Sequence, residues 1–325
     1  MKSSALNSND CWAVYDKGKV GTGNQCRGLA KILGYDPKVI EISTVAPWRY
    51  LPPQLWFQAL KGVVDENGHT LKAPWPKMII AAGRASVAPT AAIRKLTGGS
   101  TKVIQLQDPK INPNHFDAVV APAHDLTSGD NVIVTKGALH HLSRAHLDEA
   151  AQHWQAIVGG NRPYVSLIIG GTSKRHRLNP DIIQQMADEI LPAVEAIGGS
   201  LLIAVSRRTE SHNREAIQSC FSDKAAYIWT GEGENPYMGL LGLADYLIVT
   251  SDSVSMTSEA CFTGKPVYSY HLPGGGKVFK RFHTLFEKEG YTRPFQGKLE
   301  TWHYEPLDEF GMTTQKLKKI LTNCK

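Results

Sequence analysis

At 325 residues, with 42% hydrophobic and 20% charged side chains, the chain carries enough apolar mass for two cores. Its net charge of +6 is uneven: residues 1–100 hold 13 Lys/Arg against 6 Asp/Glu. That surplus suits an acidic partner or an anionic membrane surface, or amounts to a soluble basic face. No apolar run is long enough for a spanning helix, the start is polar and lacks the apolar core of a secretory signal, and the five cysteines form no C-x-x-C pair. A reducing, cytoplasmic setting is therefore expected.

An apolar run at 11–15 predicts the first strand. A loop over 16–25, DKGKVGTGNQ, and a helix over 26–33 ended by Gly34 follow. Gly18, Gly21 and Gly23 give G-x-x-G-x-G, neither the G-x-G-x-x-G of dinucleotide sites nor a P-loop. These glycines serve either a tight turn or the close approach of a ligand to backbone amides. A second strand is predicted at 39–42. Residues 46–76 then hold Trp48, Trp56, Trp75 and five prolines, with Arg49, Lys61 and Lys72 between them. This excursion reads as tryptophans packed into the core, or as a membrane-facing or acceptor-binding surface.

Strands at 78–82, 102–105, 118–120 and 132–134 continue the series, with Gly83-Arg84-Ala85-Ser86 opening a helix to 96. His140, His141 and His146 stand around the start of a helical stretch at 143–157. They lack H-E-x-x-H spacing, so a surface or interdomain role is expected. Gly159-Gly160-Asn161-Arg162-Pro163 reads as a linker.

After it the strand–loop–helix pattern restarts. A strand at 164–169 leads to Gly170-Gly171-Thr172-Ser173-Lys174, and Asn179 caps a helix to 197 with Pro180 in its first position. A strand at 201–205 leads to Ser206-Arg207-Arg208-Thr209, then come a helix at 214–220, a strand at 227–229 and a helix at 236–244. A strand at 246–249 runs into Thr250-Ser251-Asp252-Ser253 and a helix to 263, with Gly264 after its end. A strand at 267–270, Gly274-Gly275-Gly276, a basic helix at 277–289 and an amphipathic helix at 312–321 complete the chain.

Alternating strands and helices predict parallel α/β sheets, and ligands in such sheets bind at the C-terminal strand ends. The polar and glycine clusters recur at that edge. Arg207 and Arg208 fit a diphosphate there, or solvent. The helix starting at Ser253 favours an anion at its N-terminus. Ser255 and Glu259 share one face of it, about 6 Å apart along the axis. That spacing suits phosphates at the tip and a ribose one turn up, held by a hydrated Glu259. The same stretch also reads as an ordinary strand–helix unit.

Two Rossmann-like halves, a central linker and a closing helix resemble the GT-B glycosyltransferase fold. Residues 253–266 look like its nucleotide-sugar motif, with Glu259 at the ribose-holding glutamate. Gly170-Gly171-Thr172 resembles the glycine loop after the first strand of its second domain. More closely, G-x-G-N-Q at 21–25 followed by Gly28-Leu29-Ala30, SRRT at 206–209 and TSDSVSMTSEA at 250–260 are similar to the "elongated mitochondria" family of mitochondrial fission. Its bacterial members are described as GT-B glycosyltransferases of the lipooligosaccharide outer core, or labelled nucleotide-sugar epimerases. Its long plant members are tied to recruiting a dynamin-related protein to mitochondria.

The resemblance implies an α/β chain of two Rossmann-like domains: 1–158 on the acceptor side, a linker at 159–163, a nucleotide-sugar domain at 164–304, and a helix within 305–325 crossing back to the first. It implies a metal-independent glycosyltransferase without cofactor, whose donor is a nucleotide-diphospho sugar. The acceptor would be a membrane-associated glycolipid such as lipooligosaccharide core, met at the inner face of the inner membrane, with no nucleic-acid partner. Gly170, Gly171, Thr172, Ser206, Arg207, Arg208, Ser253, Ser255 and Glu259 would bind donor. Gly21, Gly23, Asn24 and Gln25 would form an acceptor-side loop, and Asp16 is the candidate base. The chain has no D-x-D motif, so cations and helix N-termini would stabilise the departing diphosphate. An epimerase with the same donor site and a non-catalytic membrane adaptor are the alternatives.

Overall fold

The computed structural model describes residues 10–140, 142–173 and 175–323. His141, Lys174 and Cys324 lie outside the described residues. The chain divides into two compact units, one holding the described residues through 140 together with those from Glu309 on, the other holding Leu142–Asp308.

The first unit begins with β1 (Cys11–Asp16), α1 (Val20–Ile32), β2 (Lys38–Thr44) and β3 (Val63–Val64). It continues with β4 (Met78–Ala82), α2 (Arg84–Leu96), β5 (Lys102–Leu106), β6 (Ala118–Pro122) and β7 (Val132–Thr135). The strands form one sheet in the order β3-β2-β1-β4-β5-β6-β7, parallel except for the β2–β3 pair. Side chains alternate across it with the strand period of two. Trp12, Val14, Ile79 and Ala81 enter one core, whereas Cys11, Ala13, Met78 and Ile80 enter the other. Burial on both faces explains why these strands read as continuous apolar runs.

The second unit opens with α3 (Arg144–Gln155), β8 (Tyr164–Ile169), α4 (Pro180–Ala196), β9 (Ser200–Val205), α5 (Ser211–Phe221) and β10 (Ala225–Trp229). It then adds α6 (Tyr237–Leu243), β11 (Tyr246–Thr250), α7 (Val254–Phe262), β12 (Val267–Tyr270), α8 (Lys277–Lys288) and β13 (Thr292–Pro294). Its parallel sheet has the order β10-β9-β8-β11-β12-β13, which reverses direction between β8 and β11. Chain order places α9 (Glu309–Asn323) last, within the first unit. Phe310 and Leu317 of α9 share a core with Leu29, Ile133 and Leu139. Glu309 anchors the helix by accepting from the Lys136 amide at 2.7 Å and the Gly137 amide at 3.4 Å.

Three expectations need correction. The division falls after residue 141, not at 159–163, so α3 belongs to the second unit. Leu147 and Trp154 of α3 pack with Leu240 and Leu241 of α6, and Gly239 and Gly242 let the helices close: a Cβ on Gly239 would overlap Trp154, and one on Gly242 the Leu147 carbonyl. Gly160 lies inside this unit, where a Cβ would come within 2.6 Å of Ser200 Oγ. Second, α1 starts at Val20, so Gly21, Gly23, Asn24 and Gln25 are helical residues and no acceptor-side loop exists at those positions. Gly23 is tolerated because a Cβ there would overlap the Tyr15 ring, and that packing offsets a helix cost of about 1 kcal/mol. Asn24 is taken up by Arg27 and Gln25 is buried. Third, the excursion divides its residues. Trp56 is buried with its indole on the Leu51 carbonyl at 2.9 Å, and Trp75 meets the edge of Trp12, while Tyr50, Leu55 and Phe57 are exposed.

Candidate functional site

In a doubly wound sheet, the loops after the two strands flanking the reversal diverge and leave a crevice. In the second unit those loops follow β8 and β11, and the loop after β9 joins them. Asp252 is the hub. Its carboxylate, fully buried, accepts from Arg208 Nη2 at 2.8 Å, Thr250 Oγ1 at 2.7 Å and the Gly171 amide at 3.2 Å. The Gly170 amide donates to Thr250 Oγ1 at 2.8 Å, and Thr209 Oγ1 donates to the Gly170 carbonyl at 2.5 Å. One network thus ties the Gly170–Ser173, Ser206–Thr209 and Thr250–Ser253 segments together.

This network changes the reading of several expected ligand residues. A Cβ on Gly170 would overlap the Asp252 carboxylate, and one on Gly171 would overlap the Arg208 carbonyl. Loop packing alone therefore demands both glycines. Arg208 is spent on Asp252 rather than forking with Arg207 onto a diphosphate. Ser206 Oγ accepts from the Arg208 amide at 3.1 Å, which closes the turn. Thr172 Oγ1 donates to the Leu178 carbonyl at 3.1 Å. Arg207 is exposed and has no ion pair or hydrogen bond among the described residues.

Ser253 is the N-cap of α7, with its Oγ accepting from the Met256 amide at 3.3 Å. Gly264 follows the helix with φ +73°, the left-handed conformation that suits glycine at this position. Ser255 is half-buried on the first turn. Glu259, one turn on, is not hydrated as expected. It is half-buried, Tyr237 donates its hydroxyl to Oε2 at 2.5 Å, and burial pushes the carboxyl pKa up to about 7 while the Tyr237 bond pulls it down. Tyr237 itself is raised, by burial first and by the Glu259 charge second.

Sequence reasoning missed Asp252, Tyr237 and two histidines. His283 Nε2 donates to the Ser251 carbonyl at 2.9 Å, and burial lowers its pKa to about 4, so it is a neutral strut. His176 is buried against the Phe279 ring at 4.5 Å, beside Gly275. Its pKa is lowered by burial, with Asp252 acting the other way. The signal for Asp252 was an aspartate two residues after the threonine that ends β11. Nothing local marked Tyr237 as a partner of a residue 22 positions away.

In the first unit, Asp16 ends β1 at the point where strand order reverses between β1 and β4. Its Oδ1 accepts from the Ala85 amide at 2.9 Å, so it caps α2, and Gly83 is required because a Cβ would come within 2.6 Å of that oxygen. Burial raises its pKa, while the Ala85 and Arg84 amides lower it. His140 is buried beside Phe310 in this unit, and His146 sits on α3 in the other. Among the described residues no three His, Cys, Asp or Glu side chains stand together as a metal site, and no helix is long and apolar enough to cross a membrane.

Solved structures share this two-unit architecture at low identity. UDP-GlcNAc 2-epimerase from Methanocaldococcus jannaschii matches with TM-score 0.55 and 12% identity, over 96% of this chain and 99% of its own. The Neisseria meningitidis UDP-GlcNAc 2-epimerase bound to UDP-GlcNAc gives 0.51 and 14%, over 96% and 99%. MurG of Acinetobacter baumannii gives 0.50 and 13%, over 97% and 94%. The fold is accordingly of the two-domain Rossmann-like GT-B type. Among sequence relatives, "Mitochondrial fission protein ELM1" of Arabidopsis thaliana is 31% identical, covering 81% of this chain and 68% of its own length. "Uncharacterized protein RP120" of Rickettsia prowazekii is 27% identical, over 95% and 98%. The model of the family described as "Mitochondrial fission ELM1" matches residues 20–321, and the chain belongs to that family.

Proposed function

We propose that the second unit binds a nucleotide-diphospho sugar and that the protein is a metal-independent glycosyltransferase acting on a membrane-associated cell-envelope glycolipid such as lipooligosaccharide core. The observation that carries this reading is the α7 start. Ser253 and Ser255 stand at a helix N-terminus that favours phosphate, and one turn on Tyr237 orients Glu259 to accept ribose hydroxyls. Gly170, Gly171, Thr172 and Ser206 shape the adjoining wall. Arg207 is the free cation for the diphosphate, and Arg208 neutralises Asp252. Charge developing on the departing diphosphate would be met by Arg207 and the helix dipole. Asp16 remains the base candidate, with a carboxyl that burial makes more basic than a free one.

A second reading, a nucleotide-sugar epimerase, is favoured by the two epimerase structures, one of them holding UDP-GlcNAc. The test is incubation of the protein with labelled nucleotide sugars, with and without crude lipooligosaccharide. Label moving to lipid only when acceptor is present supports transfer. A changed sugar without acceptor supports epimerisation. Binding without turnover in either case overturns both and leaves the adaptor role suggested by the fission relative.

A further inference from the structure

Two adjoining cavities in the first unit have no place in the chemistry above. A cleft of about 510 Å³ opens at the C-terminal ends of β4 and β5, lined by Tyr50, Arg84, Gln105, Gln107 and Lys110 among others. A groove of about 980 Å³ runs along α2, lined by Trp56, Leu60, Ala88, Ala91, Ala92 and Leu96, with Lys61 and Lys95. Pro53 and Gln54 line both, so the cavities share a wall.

The cleft suits a polar, anionic group. Gln105 is buried, and its Nε2 donates to the Leu106 carbonyl at 3.0 Å, but its Oε1 has no partner among the described residues. A buried acceptor left open is costly and favours an incoming donor such as a hydroxyl. Arg84 donates to the Leu51 carbonyl at 2.7 Å and the Arg49 carbonyl at 3.3 Å, with no carboxylate partner among the described residues. Its charge is fixed in place without an ion pair, with Asp16 acting on it only through space, whereas Lys110 is paired with Asp108, which also lines the cleft. Gln107 and Lys110 have φ of +67° and +58°, backbone conformations that side chains such as theirs seldom adopt and that gather at ligand sites.

The groove suits an aliphatic chain. Three alanines of α2 leave its wall low, while Leu55, Phe57 and Leu96 are exposed at 61%, 58% and 66% next to or among its lining residues. An apolar surface of this kind on a charged protein marks a binding site. Lys61 and Lys95 at the groove form no ion pair among the described residues. A small polar ligand would leave the groove unused, and a neutral lipid would leave the cations unused.

We infer that the first unit binds one anionic amphiphile, with its hydroxylated head in the Gln105–Arg84 cleft and its chain along the α2 groove. That this amphiphile is the sugar acceptor rests on the transferase reading; the binding itself does not. The test uses the full chain and a chain-brominated lysophosphatidic acid below its critical micelle concentration, read by quenching of tryptophan fluorescence, since Trp56 lines the groove. Saturable quenching is expected, about tenfold weaker for the choline-headed analogue, as for loss of charge-assisted bonds. Ala92→Leu should block the groove and abolish quenching. Arg84→Gln, in the cleft that takes the head, should erase the preference for the anionic head, and it keeps the test decisive if Ala92→Leu does not fold. Equal quenching by both heads, quenching that survives Ala92→Leu, or quenching that begins only with micelles would overturn the inference. Titration of a nucleotide sugar on the same samples separates the two ideas. Donor binding without lipid binding sinks this inference alone, and lipid binding without donor binding sinks the transferase reading alone.

Discussion

Replacing Glu259 with glutamine should have opposite effects on stability and on donor binding. In the empty protein the Glu259 carboxyl has a pKa of about 7, against 4.5 for an unperturbed glutamate, because it is buried. The folded state therefore holds this proton more tightly than the unfolded state. The stability this gives is complete below the unfolded pKa of 4.5 and is lost as pH rises through about 7. At pH 8 the fold carries a half-buried carboxylate at a cost of up to roughly 3 kcal/mol, from 1.36 kcal/mol per pKa unit. Glutamine keeps the volume and one acceptor for Tyr237 without the charge. In urea unfolding, Glu259→Gln should be the more stable protein at pH 8, with its advantage falling below about 1 kcal/mol near pH 5.

Donor affinity should move the other way. If the carboxylate accepts two ribose hydroxyls, only the ionised form binds. The parent protein should then bind a nucleotide-diphospho sugar about tenfold more weakly at pH 6 than at pH 8. Glu259→Gln should lose roughly 1–3 kcal/mol of binding at pH 8 and show no pH dependence over that window. A 2′-deoxyribose donor should lose little further in the variant, because the partner is already missing. Titration calorimetry measures all four combinations. Additive losses, or a parent affinity equal at pH 6 and pH 8, would refute a ribose contact. A stability advantage that does not grow with pH would refute the raised carboxyl pKa.

Arg207→Ala should weaken a nucleoside diphosphate about tenfold or more, as for a lost charged hydrogen bond, and leave the nucleoside unaffected in the same titration. Equal losses would make Arg207 structural. Gly171→Ala places a methyl on the Arg208 backbone carbonyl and should destabilise by about 1–3 kcal/mol, seen as a lower melting temperature; an unchanged melt would show that the loops are not packed as described. Gly242→Ala should cost a similar amount by pushing α6 off α3, whose Leu147 carbonyl fills the space. If its urea midpoint matches the parent, α3 does not pack on the second unit as closely as described.

Elements were legible wherever the signal was local. Buried parallel strands announce themselves as apolar runs, and Asn179-Pro180 and Ser253 announce helix starts, which the structure places at α4 and α7 with the expected caps. The start of α1 was not legible, because Gly21 and Gly23 argue against a helix on propensity and the Tyr15 ring that requires Gly23 lies on a neighbouring strand. The domain division was missed for a related reason. Gly159-Gly160 has linker composition, but its tolerance for φ of +61° and +75° serves a turn inside the second unit.

The candidate site shows why composition at a strand edge identifies a place without assigning roles. Two adjacent arginines are equivalent in sequence, yet only one faces Asp252. Sheet order decides which. Because β8 lies between β9 and β11, the loop after β8 is flanked by the loops that carry Arg208 and Asp252. The ion pair crosses that loop, and the residues under it must be glycines. Removing the charge from Asp252 would therefore leave Arg208 unneutralised beside Arg207 and loosen the Gly171 amide at the same time. Asp252→Asn should accordingly destabilise the second unit, by about 1–3 kcal/mol for a buried charged hydrogen-bond acceptor. It should also tighten binding of a free diphosphate, since a second cation is released toward it. An Asp252→Asn protein that binds diphosphate no better than the parent would show that Arg208 cannot turn outward, and that Arg207 alone supplies positive charge from this loop.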